Sequence, residues 1–64
     1  MSDRTGEVWT SGGVVYVCLG EDPADVKKYQ FQQAGAERKV SITKISIDYF
    51  TAVQGESPWW RKLS

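Results

Sequence analysis

EDPADVKKYQFQQAG, residues 21–35, is the stretch that decides the fold class, because it carries strand and helix signals together. Its residues Tyr29-Gln30-Phe31-Gln32 alternate strictly between apolar and polar side chains, as a half-buried strand does. The alternation favours a proline-containing loop over residues 21–25, followed by a strand over Val26–Gln33. An all-β fold follows from this interpretation.

A helix over residues 23–34 is the alternative for the same stretch. Asp22 suits a helix N-cap, Pro23 suits the first helical position, and Gly35 suits the far end. The apolar face of such a helix is poor, because only Val26 and Tyr29 fall cleanly on one side. If the helix formed, the fold would be α+β.

Two apolar segments before this stretch predict a hairpin. Residues 7–10 predict a short strand, and residues 14–19 predict a second one that ends at Gly20. Gly12 and Gly13 lie between them, and paired glycines suit the positive φ angles of tight hairpin turns. Because both faces of residues 14–19 are apolar, we expect this strand to be the central and most buried one.

A fourth strand is predicted over residues 38–43, with Val40 and Ile42 facing the core. After Lys44 the alternation changes phase. The chain must therefore either bulge or leave the sheet, and we expect it to leave.

A short helical or 3₁₀ turn is predicted next, with Ser46 as its cap and Gly55 near its end. The apolar residues that share one side of this turn are Ile47, Phe50 and Val53. A last strand is predicted over Trp59–Leu63. It should lie at a sheet edge, because Pro58 at its start has no backbone N–H to donate.

The predicted elements add up to one small all-β domain. Five short strands, with one helical turn just before the last strand, are the element order of a small SH3-like barrel, in which closure hides the strand edges. We expect the domain to span residues 6–63 and the polar residues 1–5 to form a flexible N-terminus. A chain of 64 residues has a thin core, so aromatic packing or self-association is expected to supplement it.

The same segments resemble a group of small viral proteins. Gly6-Glu7-Val8-Trp9, a glycine turn, Val15-Tyr16-Val17 and Ile45-Ser46-Ile47-Asp48-Tyr49-Phe50 are similar to short phage and prophage proteins with predicted SH3-like folds and mostly unknown roles. The shared positions are mainly apolar residues or glycine. The resemblance therefore implies a fold, and no catalytic or binding residue is carried over from it.

Few residues of this chain are suited to catalysis or to metal binding. It has no histidine and one cysteine, Cys18, which lies in an apolar run and is expected to be a buried free thiol. Glu21, Asp22 and Asp25 lack the spacing of a calcium loop, and the glycines form no phosphate-binding motif. We therefore predict no enzymatic activity, no catalytic residue, no metal and no cofactor.

Charge and hydropathy predict a cytoplasmic protein. Eight basic and eight acidic residues give a formal net charge of zero, so no long-range field attracts nucleic acid or an anionic membrane. The sequence shows neither a secretory signal nor an apolar run long enough to cross a bilayer. We expect the cytoplasm of a bacterium or of an infected host cell.

Partner binding is the function that the residue types favour, because tryptophan, tyrosine and arginine most often anchor interfaces. The chain concentrates such residues at Trp59, Trp60, Arg61 and Lys62. On a strand the two indoles face opposite sides, so one can fill the core while the other marks an interaction patch, unless both cover the ends of the core. The leading hypothesis is a non-enzymatic module that binds a host or viral protein, or its own copy.

A nucleic-acid-binding barrel is the alternative function. It would need the three basic doublets, Lys27-Lys28, Arg38-Lys39 and Arg61-Lys62, to be neighbours in the fold. Tyr29 and Phe31, beside the first doublet, would then stack on the bases of a single strand. Core packing explains the same two aromatic residues without a ligand.

Overall fold

A computed structural model of the chain describes residues 4–53 and 60–63. It shows a five-stranded antiparallel sheet with one short helix before the last strand. The strands are β1 (Val8–Ser11), β2 (Val14–Asp22), β3 (Asp25–Gln33), β4 (Lys39–Thr43) and β5 (Arg61–Lys62), and the helix is α1 (Lys44–Ala52). In the sheet the strands follow the order β4-β3-β2-β1-β5. The predicted all-β fold is therefore confirmed and is consistent with a small barrel-like fold, in which β4 and β5 end the sheet order and do not pair with each other among the described residues.

The deciding stretch forms the β2–β3 hairpin, so its predicted strand is confirmed and the alternative helix over 23–34 is wrong. The expected loop shrinks to Pro23 and Ala24 between the two strands. The carboxylate of Asp22 stabilises this turn, because Oδ1 accepts a hydrogen bond of 2.8 Å from the Ala24 N–H. The same carboxylate was the predicted helix cap, and the turn uses it instead.

The sequence predicted that the second strand ends at Gly20. Gly20 instead forms a bulge within this strand. Cys18 pairs with Phe31 and Gly20 pairs with Gln30, so Leu19 is an extra residue on β2. Gly20 has a φ of +102°, a region that favours glycine. The bulge shifts the register, and β2 continues to Asp22.

The core lies on one face of the sheet, under α1. Its buried members are Trp9, Cys18, Tyr29, Phe31 and Ile47, and the partly buried apolar residues packed against them are Tyr16, Val40, Ile42, Phe50 and Trp60. Trp9 and Phe31 meet edge to face, with ring centroids 6.3 Å apart. The inward positions predicted for Val40 and Ile42, and the burial predicted for Cys18, are confirmed.

β2 is the central strand of the sheet, as predicted, but only one of its faces is buried. Tyr16 and Cys18 point to the core, whereas Val15 and Leu19 on the other face are 37% and 39% exposed. The sheet has a single covered face, because one nine-residue helix can cover only one side. The prediction of a strand buried on both faces is therefore wrong.

The helix begins three residues earlier than predicted, because Thr43 rather than Ser46 is its N-cap. Thr43 Oγ1 accepts a hydrogen bond of 3.3 Å from the Ser46 N–H. Ile47 is buried and Phe50 packs on the core, so the predicted inner side of the helix is confirmed for both. Gly55, the predicted terminator, lies outside the described residues.

β5 pairs antiparallel with β1 at one edge of the sheet, which confirms the edge position predicted for the last strand. Trp9 lies opposite Lys62, and Thr10 lies opposite Arg61. The predicted strand was longer, over 59–63, and Trp59 lies outside the described residues. Within 4–53 and 60–63, no helix is long and apolar enough to cross a membrane.

Candidate protein-docking surface

The C-terminal segment that the sequence favoured for partner binding divides between core and surface. The Trp60 ring joins the aromatic cluster of the core, with centroids 5.0 Å from Tyr16, 5.3 Å from Phe31 and 6.4 Å from Trp9. Arg61 is exposed and Lys62 is half-buried. Trp59 lies outside the described residues, and partner binding by Trp59, Trp60, Arg61 and Lys62 stays a prediction.

The three basic doublets occupy separate parts of the sheet. Lys28 lies opposite Thr43 at one end of the β3–β4 pair, and Lys39 lies opposite Gln32 at the other end. Arg61-Lys62 forms β5, at the opposite edge of the sheet from β4. The sheet therefore does not align the doublets into one basic track along a strand.

The aromatic residues proposed as a base-stacking platform are core residues. Tyr29 is 8% exposed and Phe31 is completely buried, so neither ring face is open to a base. The core interpretation of this pair is confirmed.

A cluster of charged side chains surrounds the Tyr29 ring at one end of the domain. The Arg4 guanidinium lies 5.8 Å from the ring centroid, and the Lys44 ammonium lies 5.3 Å from it. Arg4 also contacts Glu7 at 3.2 Å and Asp48 at 2.8 Å, while Lys44 contacts Glu21 at 2.7 Å. These ion pairs tie the N-terminal segment, the β2–β3 hairpin and α1 together.

The carboxylates that accept hydrogen bonds from Lys44 and Arg4 raise the pKa of both cations. The hydrogen bond from Lys44 to the Glu21 carboxylate raises the pKa of the Lys44 ammonium. Burial disfavours the charged form of Arg4, but its bonds to Asp48 and Glu7 outweigh that cost and raise its pKa. Both groups stay charged at neutral pH. Because its charges are paired, the cluster is explained by a structural role. Its ion pairs hold the elements in place.

A patch of exposed apolar residues lies beside this cluster. Ile45 is 82% exposed, Val26 is 65% exposed and Tyr49 is 61% exposed. We call these three residues the helix-end patch. Val26 and Ile45 share a surface groove of about 310 Å³, which is lined by Val26, Lys27, Thr43, Lys44 and Ile45. Tyr49 extends the patch along α1, because residues four apart lie on the same side of a helix.

The fold itself does not explain these apolar side chains. Ile47 and Phe50 already supply the inward side of α1, and Ile45 and Tyr49 point to the other side. A β-branched residue such as Ile45 gains nothing from an exposed helical position, since its side chain loses rotamer freedom there. Contiguous exposed apolar patches are features of interaction sites in other proteins, so the helix-end patch is the candidate docking surface.

The charged residues that border the patch differ in whether they form ion pairs. Lys44 is held by Glu21, and Asp48 is held by Arg4. Lys27 is exposed and forms no ion pair with any residue in 4–53 or 60–63. The patch thus combines an apolar surface with one available cation at its border.

A second apolar surface follows the outer face of β2. Val15, Val17 and Leu19 face outward, and Val17 and Leu19 border a groove of about 300 Å³ beside residues 32–36. Strand propensity explains the two valines without a partner, and the bulge explains the position of Leu19. This surface is therefore the weaker candidate.

Metal and disulfide chemistry add no further site. Among the described residues, no group of three or more histidine, cysteine, aspartate or glutamate side chains is arranged to hold a metal ion. Cys18 is 1% exposed, and its sulfur lies 3.4 Å from the Gly20 amide nitrogen, which donates to it. Comparison of the chain with protein-family models, with curated proteins and with solved structures finds no match.

Proposed function

We propose that this chain is a non-enzymatic protein-interaction module that docks on a larger protein through the helix-end patch. The observation that carries the proposal is the exposure of Ile45, at 82%, next to Val26 and Tyr49. Burying one such side chain in an interface contributes on the order of 2 kcal/mol. Three adjacent side chains therefore supply a useful anchor for a partner.

The element order supports a finer assignment as part of the same proposal. Four strands, a helix and a final strand that returns to β1 agree with an SH3-like barrel. With the sequence resemblance, this arrangement supports a phage-encoded protein that works in the cytoplasm on a host or viral target.

The chemistry of the patch suggests what the partner offers. An apolar side chain of the partner would enter the groove between Val26 and Ile45. A carboxylate beside that side chain would meet Lys27, the border cation without an ion pair in the described chain. A partner segment with an apolar residue next to an acidic one fits both features.

The test is affinity capture from a bacterial lysate, with quantitative mass spectrometry of the captured proteins. The probes are the wild type, Ile45→Ser and Val26→Ser, and the matched control is Leu63→Ser, since Leu63 is 57% exposed elsewhere on the domain. We expect one set of proteins to be lost with both patch variants and retained with the control. Equal capture by all four proteins would contradict the proposal.

Nucleic-acid binding is the rival outcome, and a separate titration distinguishes it. Labelled single-stranded and duplex oligonucleotides are titrated at low salt, where phosphate contacts are strongest. The protein-docking proposal expects no saturable binding. Saturable binding that weakens steeply with salt would favour the basic residues of the surface instead.

A further inference from the structure

The outer edge of β4 presents backbone groups that none of the described strands uses. β4 pairs with β3 and lies at the end of the sheet order. The Gln33 N–H donates to the Arg38 carbonyl at 2.9 Å, which fixes which residue pairs are hydrogen-bonded. Because such pairs alternate along antiparallel strands, Val40 and Ile42 bond to β3. Lys39 and Ser41 therefore direct both backbone groups to the open edge, and Thr43 directs its N–H there, while the Thr43 carbonyl belongs to the first turn of α1.

A bond on the other side of β3 supports this assignment. The Ala34 N–H donates to the Val15 carbonyl at 2.8 Å, so the even-numbered residues of β3 bond to β2. The odd-numbered residues of β3 are then the ones that bond to β4. Both bonds give the same pattern.

The side chains of β4 leave apolar surface at this edge. Val40 and Ile42 face the core but are only half-buried, whereas Lys39 and Ser41 are exposed on the outer face. The β3–β4 register is regular over its whole length, and β4 contains no proline. A regular edge without proline or a bulge is a template for another strand.

We propose that β4 pairs with β4 of a second copy of this chain, in antiparallel orientation and centred on Ser41. This register pairs all five residues of the strand. Ser41 meets Ser41 of the second copy, and Lys39 meets Thr43 of the second copy. The two sheets then form one continuous sheet with two-fold symmetry.

The occupant is a second copy because the strand is complementary to itself in this register. Val40 meets Ile42 of the second copy on the core side, where two β-branched residues pair well and cover each other's exposed part. No cation lies opposite another cation within the five paired residues. Helix α1 packs on the core side of the sheet, where Ile47 is buried and where the helix contacts β3, β4 and β5.

The dimer should be weak. Five paired residues bury less surface than a standard stable interface, so we expect a dissociation constant on the order of 0.1 to 1 mM. The inference does not rest on docking at the helix-end patch, and the two surfaces meet at Thr43, which ends β4 and lines the groove of the patch.

The test combines molar mass with amide hydrogen exchange, in light-scattering and NMR measurements between about 20 µM and about 2 mM. We expect the molar mass to rise towards twice the monomer mass, and the Ser41 N–H to exchange more slowly as concentration rises. The Val40 and Ile42 N–H groups, which bond to β3, should show no such dependence. A monomer mass throughout, or a Ser41 exchange rate independent of concentration, would overturn the proposal.

A chemically synthesised chain with an N-methyl group on Ser41 provides the variant. It removes the donor at the centre of the edge, and we expect the dissociation constant to rise about tenfold or more. The matched control is the unmodified synthetic chain, because Ser41→Ala would also remove the hydrogen bond from Ser41 Oγ to Asp22 that joins β4 to β2. If N-methyl-Ser41 unfolds, the concentration-dependent exchange of the wild type still decides the proposal. A folded N-methyl chain that dimerises as strongly as the control would contradict it.

Discussion

Ser41 Oγ donates a hydrogen bond of 2.5 Å to Asp22 Oδ2 and so connects β4 to the end of β2 across β3. Asp22 is the only polar residue among the buried ones in the described chain, at 7% exposure, and its other oxygen accepts the Ala24 N–H of the hairpin turn. The carboxylate thereby holds the turn and the sheet edge together.

Asp22→Asn should destabilise the domain at neutral pH. The hydrogen bond from Ser41, and then that from Ala24, lower the pKa of the Asp22 carboxyl below its ordinary value of 3.8. A lowered pKa means that this carboxylate contributes stability above about pH 4, and that the contribution is lost as pH falls through the folded-state pKa. Urea unfolding at pH 7 and at pH 2.5 should show a midpoint deficit for Asp22→Asn that is smaller at pH 2.5 than at pH 7. A deficit of the same size at both pH values would contradict the charge effect.

Gly20→Ala should destabilise the domain more than Gly35→Ala. A Cβ at Gly20 would lie 2.7 Å from Thr5 Oγ1, whereas a Cβ at Gly35 has no atom within 4 Å. Both glycines have a positive φ, so each variant has about 1–2 kcal/mol of backbone strain, and only Gly20→Ala has the clash in addition. Thermal unfolding of both variants measures the difference. The double variant Thr5→Gly with Gly20→Ala should recover the part due to the clash, and no recovery would contradict this contact.

Truncation of the two isoleucines of α1 should change the free energy of unfolding by very different amounts. Ile47 is completely buried, so Ile47→Ala should lower the free energy of unfolding by about 2–4 kcal/mol. Ile45 is exposed, so Ile45→Ala should change it by less than about 0.5 kcal/mol. Chemical denaturation of both variants checks the pair. A loss above 1 kcal/mol at Ile45 would mean that this residue belongs to the core and not to a docking patch.

Thr43, rather than Ser46, is the N-cap of α1, so truncating Thr43 should destabilise the helix more. Thr43→Ala removes the acceptor of the Ser46 N–H and should cost about 1 kcal/mol, whereas Ser46→Ala should cost clearly less. Guanidinium unfolding and helix content by circular dichroism measure both. An equal or larger loss of stability for Ser46→Ala would mean that Ser46 is the N-cap, as the sequence had predicted.

Short-range patterns predicted much of the fold, even over residues 21–35, where strand and helix signals competed. Alternation around Tyr29 and Phe31 predicted β3, and both side chains are buried. The glycine pair at Gly12 and Gly13 predicted the β1–β2 turn, where both residues have positive φ. In each case the local sequence pattern and the tertiary structure favour the same backbone conformation at the same residues.

The parts that were missed depend on contacts between distant residues. Gly20 was expected to end a strand, because a sequence does not show that Thr5 passes beside it and that the register shifts there. The role of Arg4 depends on Asp48, 44 residues away, and nothing near Arg4 indicates it.

The helix-end patch was missed because of the cap. If Ser46 were the N-cap, Ile45 would precede the helix, but a cap at Thr43 places Ile45 on its outer side. The change of phase after Lys44 was the available signal. It showed that Ile45 could not share the face of Val40 and Ile42, and the helix start then decided where it pointed.

Site-specific photo-crosslinking measures the central claim, docking through the helix-end patch, most directly. A photoreactive phenylalanine derivative replaces Ile45 in one protein and Leu63 in another, and both are irradiated in a bacterial lysate. We predict a discrete crosslinked protein with the probe at 45 that is absent with the probe at 63, and that unlabelled wild type suppresses in competition. The same crosslinked species from both positions, or none from position 45 with a folded probe protein, would contradict docking at this patch.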